Sequence, residues 1–317
     1  MSIGIYFGID TSNYTTSAAA VSCSGEVFCA KRVLSVPLGE RGVRQSQALF
    51  CHTRDLSEVV EEVLSKVKEA FGDYHLLAVG ASNAPRRAEG SYMPCFLAGM
   101  NGGRVASSLA GVPFYAFSHQ EGHIEAARMG ALSEGRELKE KEFYAFHISG
   151  GTTEFLRVTE EGERYRVDLV SQALDLTLGQ LIDRCGVKLG LEFPAGAHLE
   201  KLALSAPPQK IPKIPVKEGG VNLSGFENQF DKRLKEGAGK EELARFVFSI
   251  VIGAVKALVD MGQEDLPVLF SGGVASSRMV REYFSGDRYF FAPPSYCADN
   301  AMGTAFLVKK GFENGSR

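Results

Sequence analysis

The sequence predicts an α/β fold made of two similar halves. Three observations lead there: strands alternate with helices, a strand–turn–strand pattern opens the chain and returns after residue 143, and 317 residues suit about two domains. Residues 3–10 read as a buried strand, 11–16 as a tight polar turn and 17–22 as the returning strand; Gly25 starts the next turn. The same grammar recurs where 143–149 is apolar, 150–153 turns and 154–159 returns. Tyr6 to Ser12 can be laid over Tyr144 to Gly150, with paired threonines after each turn, so we read an internal repeat. Polar hairpin tips opening both halves suit a grip on one phosphate chain, whereas a single doubly wound sheet needs no second hairpin.

Between the hairpins, residues 56–71 carry apolar residues at helical spacing, 76–82 form a strand, 98–109 a small-residue helix and 112–117 another strand. Residues 179–189 and 199–204 read as helices. Four prolines within 207–215 force an extended connector. A long amphipathic helix spans 241–260, a strand 266–270 runs into Ser271-Gly272-Gly273-Val274, and 276–284 can again be helical.

Composition excludes several classes. The formal net charge of -3 gives no global positive field, so any nucleic-acid contact must come from a local patch. Six cysteines without a CxxC pair, and an N-terminus lacking the order of a signal peptide, lead us to expect a reduced, cytoplasmic protein. The longest apolar stretch, 246–259, contains Lys256 and falls short of the ~20 residues a bilayer requires. It reads as a core helix, with no membrane partner.

His119 and His123 lie four apart, so on a helix both imidazoles project from one face and can share a metal; pairs of this spacing are also common as purely structural features. Gln120 stands where a zinc protease carries its Glu, which argues against peptidase chemistry. Asp299 follows a proline-held loop; alone it reads as the N-cap of a helix starting near Asn300, and with the histidines it completes a facial set with open positions. Ser149-Gly150-Gly151-Thr152-Thr153 puts two glycines in a hairpin tip, where backbone N–H groups can approach anionic oxygens. Ser271-Gly272-Gly273 leads into a helix, where the dipole attracts an anion or the close backbone approach suits a nucleoside. Either glycine pair alone fits a plain turn. Their order after Asp10-Thr11-Ser12 is that of an actin-like nucleotide cleft.

Here the sequence resembles a known family. Ser118 to Ile124 is similar to the HxEGH segment of the tRNA threonylcarbamoyladenosine transferases, also known as glycoprotease-like proteins, and Asp299-Asn300-Ala301 to their DNA motif. Gly179 to Arg184 resembles GEAFDK, Leu189 to Gly196 resembles LGLxYPGG, Ser224-Gly225-Phe226 resembles FSG, Gly272-Gly273-Val274 resembles AGGV and Ser149 to Thr153 resembles SGGHT. The matches are collinear over almost the whole chain. The resemblance implies a two-lobed actin-like ATPase fold with duplicated ribonuclease H-like domains: residues 1–110, completed by a C-terminal helix 300–317, and residues 111–299, carrying the metal and nucleotide motifs.

It further implies that His119, His123 and Asp299 hold one divalent ion, iron or zinc, with no catalytic residue beyond that site. Ile148, Ser149, Gly150, Gly151 and Thr152 would lie near the phosphate and Asp183 and Gly196 near the nucleoside; Gly272, Gly273, Ser277 and Asp10 complete the expected adenylate-binding set. The implied reaction passes a threonylcarbamoyl group from its adenylate, made by a partner subunit from ATP, to the N6 amine of an adenosine beside the tRNA anticodon. Departures stand beside the matches. Thr152 replaces a His, Ser277 an Asn, Glu227-Asn228 a Lys-Thr, and Ala84-Pro85-Arg86-Arg87-Ala88-Glu89-Gly90 a Gly-Pro-Gly segment. They leave two alternatives open: a catalytically weakened paralogue serving as a metal- and adenylate-binding scaffold in a tRNA-modification complex, or a small-molecule carbamoyltransferase or kinase on the same fold. Arg86, Arg87 and Arg104 form a short basic cluster that suits either tRNA phosphates or plain solvent.

Overall fold

Two β-sheets organise the chain in the computed structural model, which describes residues 2–12, 14–34, 43–262, 265–297 and 301–315. The chain divides into two units, one of residues 1–129, 160–166 and 298–317, the other of 130–159 and 167–297. In the first, β1 (Ile3–Ser12), β2 (Thr15–Ser22) and β3 (Val27–Val33) form an antiparallel meander; α1 (Gln45–Phe71), β4 (Tyr74–Ala84), α2 (Phe96–Ala110), β5 (Phe114–Ser118) and α3 (His119–Ser133) follow. The sheet order is β3-β2-β1-β4-β5, with β1, β4 and β5 parallel. Val59, Val63 and Val67, one helical turn apart on α1, are fully buried against a core that includes Ile5, Phe7 and Ala18.

Three expectations need correcting here. The polar turn expected at 11–16 gives way to longer strands, because Thr11, Ser12, Thr15 and Thr16 are paired strand residues. Their hydroxyls are used inside: Thr11 donates to the Cys95 carbonyl at 3.0 Å, and Thr16 bonds the buried His52 at 2.8 Å. That contact helps explain why α1 starts at Gln45 rather than at residue 56. The boundary expected at residue 110 falls inside the first unit, since β5 pairs with β4 from Val79↔Phe114 onward and takes α3 with it.

The second unit continues with β6 (Glu142–Ile148), β7 (Thr153–Glu161) and β8 (Arg164–Ala173), except for residues 160–166 of those two strands and their turn, which belong to the first unit, and then α4 (Leu178–Lys188), α5 (Gly196–Ser205), β9 (Val216–Lys217), β10 (Gly220–Val221), α6 (Ser224–Lys235) and α7 (Lys240–Val259). After β11 (Val268–Ser271) come a 3-10 turn (Gly273–Ser276), α8 (Arg278–Tyr283), β12 (Tyr289–Phe291) and α9 (Pro294–Cys297). Its sheet reads β12-β11-β6-β7-β8-β10-β9. The run β8-β7-β6-β11-β12 repeats the strand order of the first sheet, hairpin strands first and parallel strands after. Nearly all of α7 is buried, and the proline-rich connector lies on it at Gly253, where a Cβ would stand 2.6 Å from the Pro212 carbonyl. No helix among the described residues is long and apolar enough to cross a membrane.

The last helix, α10 (Met302–Gly315), returns to the first unit and packs on β1, β2 and β4. It approaches backbone to backbone: a Cβ on Gly8 would meet Ala305 N at 2.4 Å, and one on Gly303 would meet the Gly122 carbonyl of α3 at 1.7 Å. The helix start expected near Asn300 lies outside the described residues.

Candidate functional site

In the first unit, the end of β5 delivers His119 and the first turn of α3 delivers His123 on the same face. The two Nε2 atoms stand 2.9 Å apart, with the rings edge to face. His119 Nδ1 faces Asp10 Oδ2 at 2.8 Å. Asp10 is 2% exposed; its Oδ1 accepts from the Ser12 N–H at 2.9 Å, and its Oδ2 also accepts from the Ser82 hydroxyl. Burial pushes the Asp10 carboxyl up, but the His119 charge and the bonds from His119, Ser82 and Ser12 outweigh it and hold the group below its ordinary value. The ionised carboxylate accepts from His119 Nδ1–H, and when the imidazole is neutral that tautomer leaves Nε2 with its lone pair, the arrangement by which carboxylates orient metal-ligating histidines.

That donor set fits a divalent ion. Ion-bound imidazole nitrogens at ~2.0–2.1 Å and a tetrahedral angle stand roughly 3.3 Å apart, so a small opening of the pair accommodates one. Among the described residues no group of three His, Cys, Asp or Glu is placed to hold an ion; Asp299, the expected third ligand, lies outside them. Asp10, expected on the adenylate, is instead the partner of His119.

The start of α3 is fixed by a residue that sequence reading missed. Glu121, fully buried, accepts from Ser118 N at 2.7 Å and Ser118 Oγ at 2.8 Å, while its own N–H bonds Ser118 Oγ at 3.3 Å, forming a reciprocal capping box. Arg164 Nε and Nη2 at 3.2 and 3.1 Å and Tyr165 N at 3.2 Å add three further bonds to the same carboxylate. Burial raises the Glu121 carboxyl, yet the Arg164 and Ser118 bonds bring it below its ordinary value. The signal was present as the S-x-x-E spacing of Ser118 and Glu121.

The second unit contains a pocket of about 370 Å³, within the range of small-ligand sites. Ile182, Val274 and Phe248 give it an apolar surface, and Asp183, Glu200 and Ser277 bring polar groups. Gly150, Gly179, Gly196 and Gly273 line it with backbone. Gly179 has to be glycine: a Cβ there would lie 2.4 Å from the Ser149 carbonyl and 2.6 Å from Gly150 Cα, so the hairpin tip sits directly on the start of α4. Thr177, the N-cap of α4 in a capping box with Gln180, donates to the Gly150 carbonyl at 2.8 Å. The N-termini of α4 and α5 thus both open at this pocket, where their dipoles favour an anion.

Other expected residues serve by backbone. Ile148 is fully buried in the core, and Gly272, at φ +92°, brings its backbone against it, where a Cβ would meet the Ile148 carbonyl at 2.3 Å. Ser149 Oγ accepts from the N–H groups of Gly151 and Thr152 at 3.3 and 3.1 Å, shaping the tip. Asp183 Oδ1 accepts from Ala195 N at 2.8 Å, holding the entry to α5. Ser277, which stands where the family has Asn, donates its hydroxyl to Glu200 Oε1 at 2.5 Å and accepts from Val280 N at 3.2 Å as the N-cap of α8. Glu200 Oε1 also accepts from Met279 N at 2.9 Å. Glu200 carried no motif of its own in the sequence reading and emerges only from the meeting of α5 and α8.

Comparison with known proteins accords with this geometry. The profile of the tRNA N6-adenosine threonylcarbamoyltransferases matches residues 33–306. A protein of that name from Methanopyrus kandleri is 26% identical over 313 residues, covering 95% of this chain and 86% of its own. One from Granulibacter bethesdensis is 30% identical, covering 96% and 87%. A probable bifunctional tRNA threonylcarbamoyladenosine biosynthesis protein of Thermoplasma acidophilum is 27% identical over 87% of this chain but only 50% of its own. Among solved structures, HypF of T. kodakarensis aligns with 99% of this chain and 48% of its own at a TM-score of 0.61 and 11% identity. The activator of a Clostridium difficile 2-hydroxyisocaproyl-CoA dehydratase aligns with 99% and 97% at 0.50 and 12%. At such identities the likeness speaks to fold alone, and that fold is the actin-like ATPase fold. With the profile spanning most of the sequence, the chain belongs to the tRNA N6-adenosine threonylcarbamoyltransferase family, a family of acyltransferases.

Proposed function

We propose that this protein transfers a threonylcarbamoyl group from threonylcarbamoyl-adenylate to the N6 amine of an adenosine next to the tRNA anticodon. The observation that carries the reading is the convergence of the His119 and His123 Nε2 atoms, with the Asp10 carboxylate 2.8 Å from the far nitrogen of His119. His119 and His123, with Asp299, would hold a divalent iron or zinc ion. When bound, the ion supplies Lewis-acid polarisation of an acyl oxygen. In the second unit, the apolar wall of Ile182, Val274 and Phe248 takes the base of the adenylate, Asp183 and Glu200 take ribose hydroxyls, and the N-termini of α4 and α5 attract its phosphate. The mixed anhydride is already activated, so no Ser or Cys nucleophile is needed: the N6–C bond forms, the C–O bond to phosphate breaks, the amine gives up one proton to the departing phosphate or to water, and AMP leaves. The donor adenylate comes from a partner; the extra length of the Thermoplasma acidophilum relative, bifunctional by name, supports a second activity working beside this one.

Two measurements test this. Purified protein should carry about one iron or zinc ion per chain, and His119→Ala with His123→Ala none, with the metal-dependent rise in melting temperature lost as well. Equal metal content in both removes the site. In calorimetry, Asp183→Ala should weaken AMP binding about tenfold or more, the scale of a hydrogen bond to a charged group, while Glu137→Ala, on an exposed stretch, changes nothing. Asp183→Asn separates ribose contact from the Ala195 bond, which an amide oxygen can still accept. Metal and AMP binding without transfer in a reconstituted system containing partner and tRNA would leave the scaffold role.

A further inference from the structure

We propose that His52 is a positioning residue for the histidine pair: from α1 it clasps the end of the β1–β2 hairpin that carries Asp10, and so keeps the Asp10 carboxylate aimed at His119. The inference rests on the metal reading above and adds to it the device that holds the supporting carboxylate in place.

His52 lies near the start of α1 and is fully buried. Its Nδ1 stands 2.8 Å from Thr16 Oγ1, while Nε2 has no hydrogen-bond partner among the described residues. One neutral hydrogen bond adds little net stability, and a buried polar atom left unpaired costs as much or more. Stability therefore does not account for a histidine here, since phenylalanine would fill similar space without an orphaned nitrogen. Burial holds the imidazole below its ordinary value, outweighing the charges of Asp10 and Asp55 and the Ser12 backbone. At neutral pH the ring is uncharged and does not compete with His119 for the Asp10 carboxylate.

What the Thr16 bond secures is the hairpin end. Thr16 lies opposite Thr11 in the β1–β2 register, and Thr11 follows Asp10. Thr11 is itself held from α2: its Oγ1 donates to the Cys95 carbonyl at 3.0 Å and accepts from the Gly99 N–H at 3.2 Å. The hairpin end is thus clasped on its β1 side by α2 and on its β2 side by α1. Ser12 sits just past the clasp, opposite Thr15. Its hydroxyl is buried and unpaired, so its own side chain does not fix it, yet its N–H donates the 2.9 Å bond that orients Asp10 Oδ1. The other oxygen, Oδ2, takes the Ser82 hydroxyl and faces His119 Nδ1 at 2.8 Å. Without the His52 bond the β2 side is released and carries Ser12 with it through the Thr15 pairing. Oδ1 then loses its donor, and the carboxylate is free to turn away from His119.

The test uses the full chain. His52→Phe fills the site without the bond, and Thr16→Val removes the same bond from the other side with little change of shape. Each should weaken zinc binding about tenfold, the low end of the effect for groups that orient a metal-ligating histidine, without lowering the urea midpoint. The two changes together should weaken it no more than either alone, because they break one bond. His52→Asn, whose amide oxygen can accept from Thr16 where Nδ1 stood, should bind zinc like wild type. The His119 Nδ1–H proton gives a readout free of metal, followed by NMR in metal-free protein carrying nitrogen-labelled histidine. It should be sharp in wild type and His52→Asn, and broadened by exchange with water in His52→Phe and Thr16→Val. Unchanged zinc affinity and proton signal in those two variants overturn the proposal. So does a fall in zinc affinity that only follows a lowered urea midpoint, which marks a purely structural bond. A wild type that binds no zinc removes the ion site of the transferase reading, and the proton signal then decides the His52 clasp by itself.

Discussion

Gly303→Ala is expected to destabilise the first unit by about 3 kcal/mol or more, at the upper end of overpacking penalties, although Ala normally favours a helix interior over Gly by roughly 1 kcal/mol. The added Cβ would stand 1.7 Å from the Gly122 carbonyl oxygen, 2.6 Å from its carbon and 2.9 Å from Ala126 N. All three are backbone atoms of α3, so no rotamer change relieves the clash, and α10 has to move off α3. The reciprocal substitution is informative because it looks equally severe in sequence, lying beside His123. At Gly122 a Cβ would meet Thr304 Oγ1 at 3.2 Å, a side chain that can turn, and Thr304 N at an ordinary 3.6 Å, so Gly122→Ala should cost far less. Urea unfolding followed by fluorescence or circular dichroism gives both midpoints. Metal affinity should fall with Gly303→Ala as well, since the contact holds α10 against the helix bearing both histidines. A Gly303→Ala protein as stable as wild type would show that the helices do not approach this closely.

These two glycines mark the limit of what the sequence could reveal. Periodicity found the valine stripe of α1, a one-face pattern, while runs of apolar and small residues buried on all sides marked β1, β2 and α7. It missed α6, where Phe230 alone is buried and Phe226 and Leu234 are only partly covered among charged and polar residues. It stopped β1 and β2 short because their threonines and serines read as turn formers, whereas Thr11 and Thr16 spend their hydroxyls on Cys95 and His52 from other elements. The site divides in the same way. His119 and His123 were legible from a local spacing. Asp10 as the partner of His119 and Glu200 as the partner of Ser277 were not, because those pairs lie 109 and 77 residues apart.

Glu121→Gln is expected to be nearly as damaging as Glu121→Ala, despite preserving shape and one oxygen. Both carboxylate oxygens are surrounded by donors. Oε1 accepts from Arg164 Nε and Tyr165 N, and Oε2 from Ser118 N, Ser118 Oγ and Arg164 Nη2. An amide nitrogen in either place would point its own hydrogens at another donor, so neither orientation satisfies the cluster. Removing one partner of a buried ion pair costs about 3–5 kcal/mol. Arg164, whose side chain is 30% exposed, can recover some hydration, which places the expected loss near the lower bound, while fully buried Tyr165 has no such recourse for its N–H. Urea midpoints for the Gln and Ala variants should therefore agree within about 1 kcal/mol and lie well below wild type. Glu121→Leu paired with Arg164→Met separates the pair from the cap: it removes both charges, so it should be less harmful than Glu121→Leu alone, yet still fall short of wild type because Ser118 N and Tyr165 N remain without an acceptor. Zinc or iron affinity should follow the cap rather than the charge, staying weak in the double variant, since the Ser118–Glu121 box sets the direction in which α3 leaves β5 and so where His119 points. If Glu121→Gln unfolds with wild type, the carboxylate is not what anchors the histidine helix.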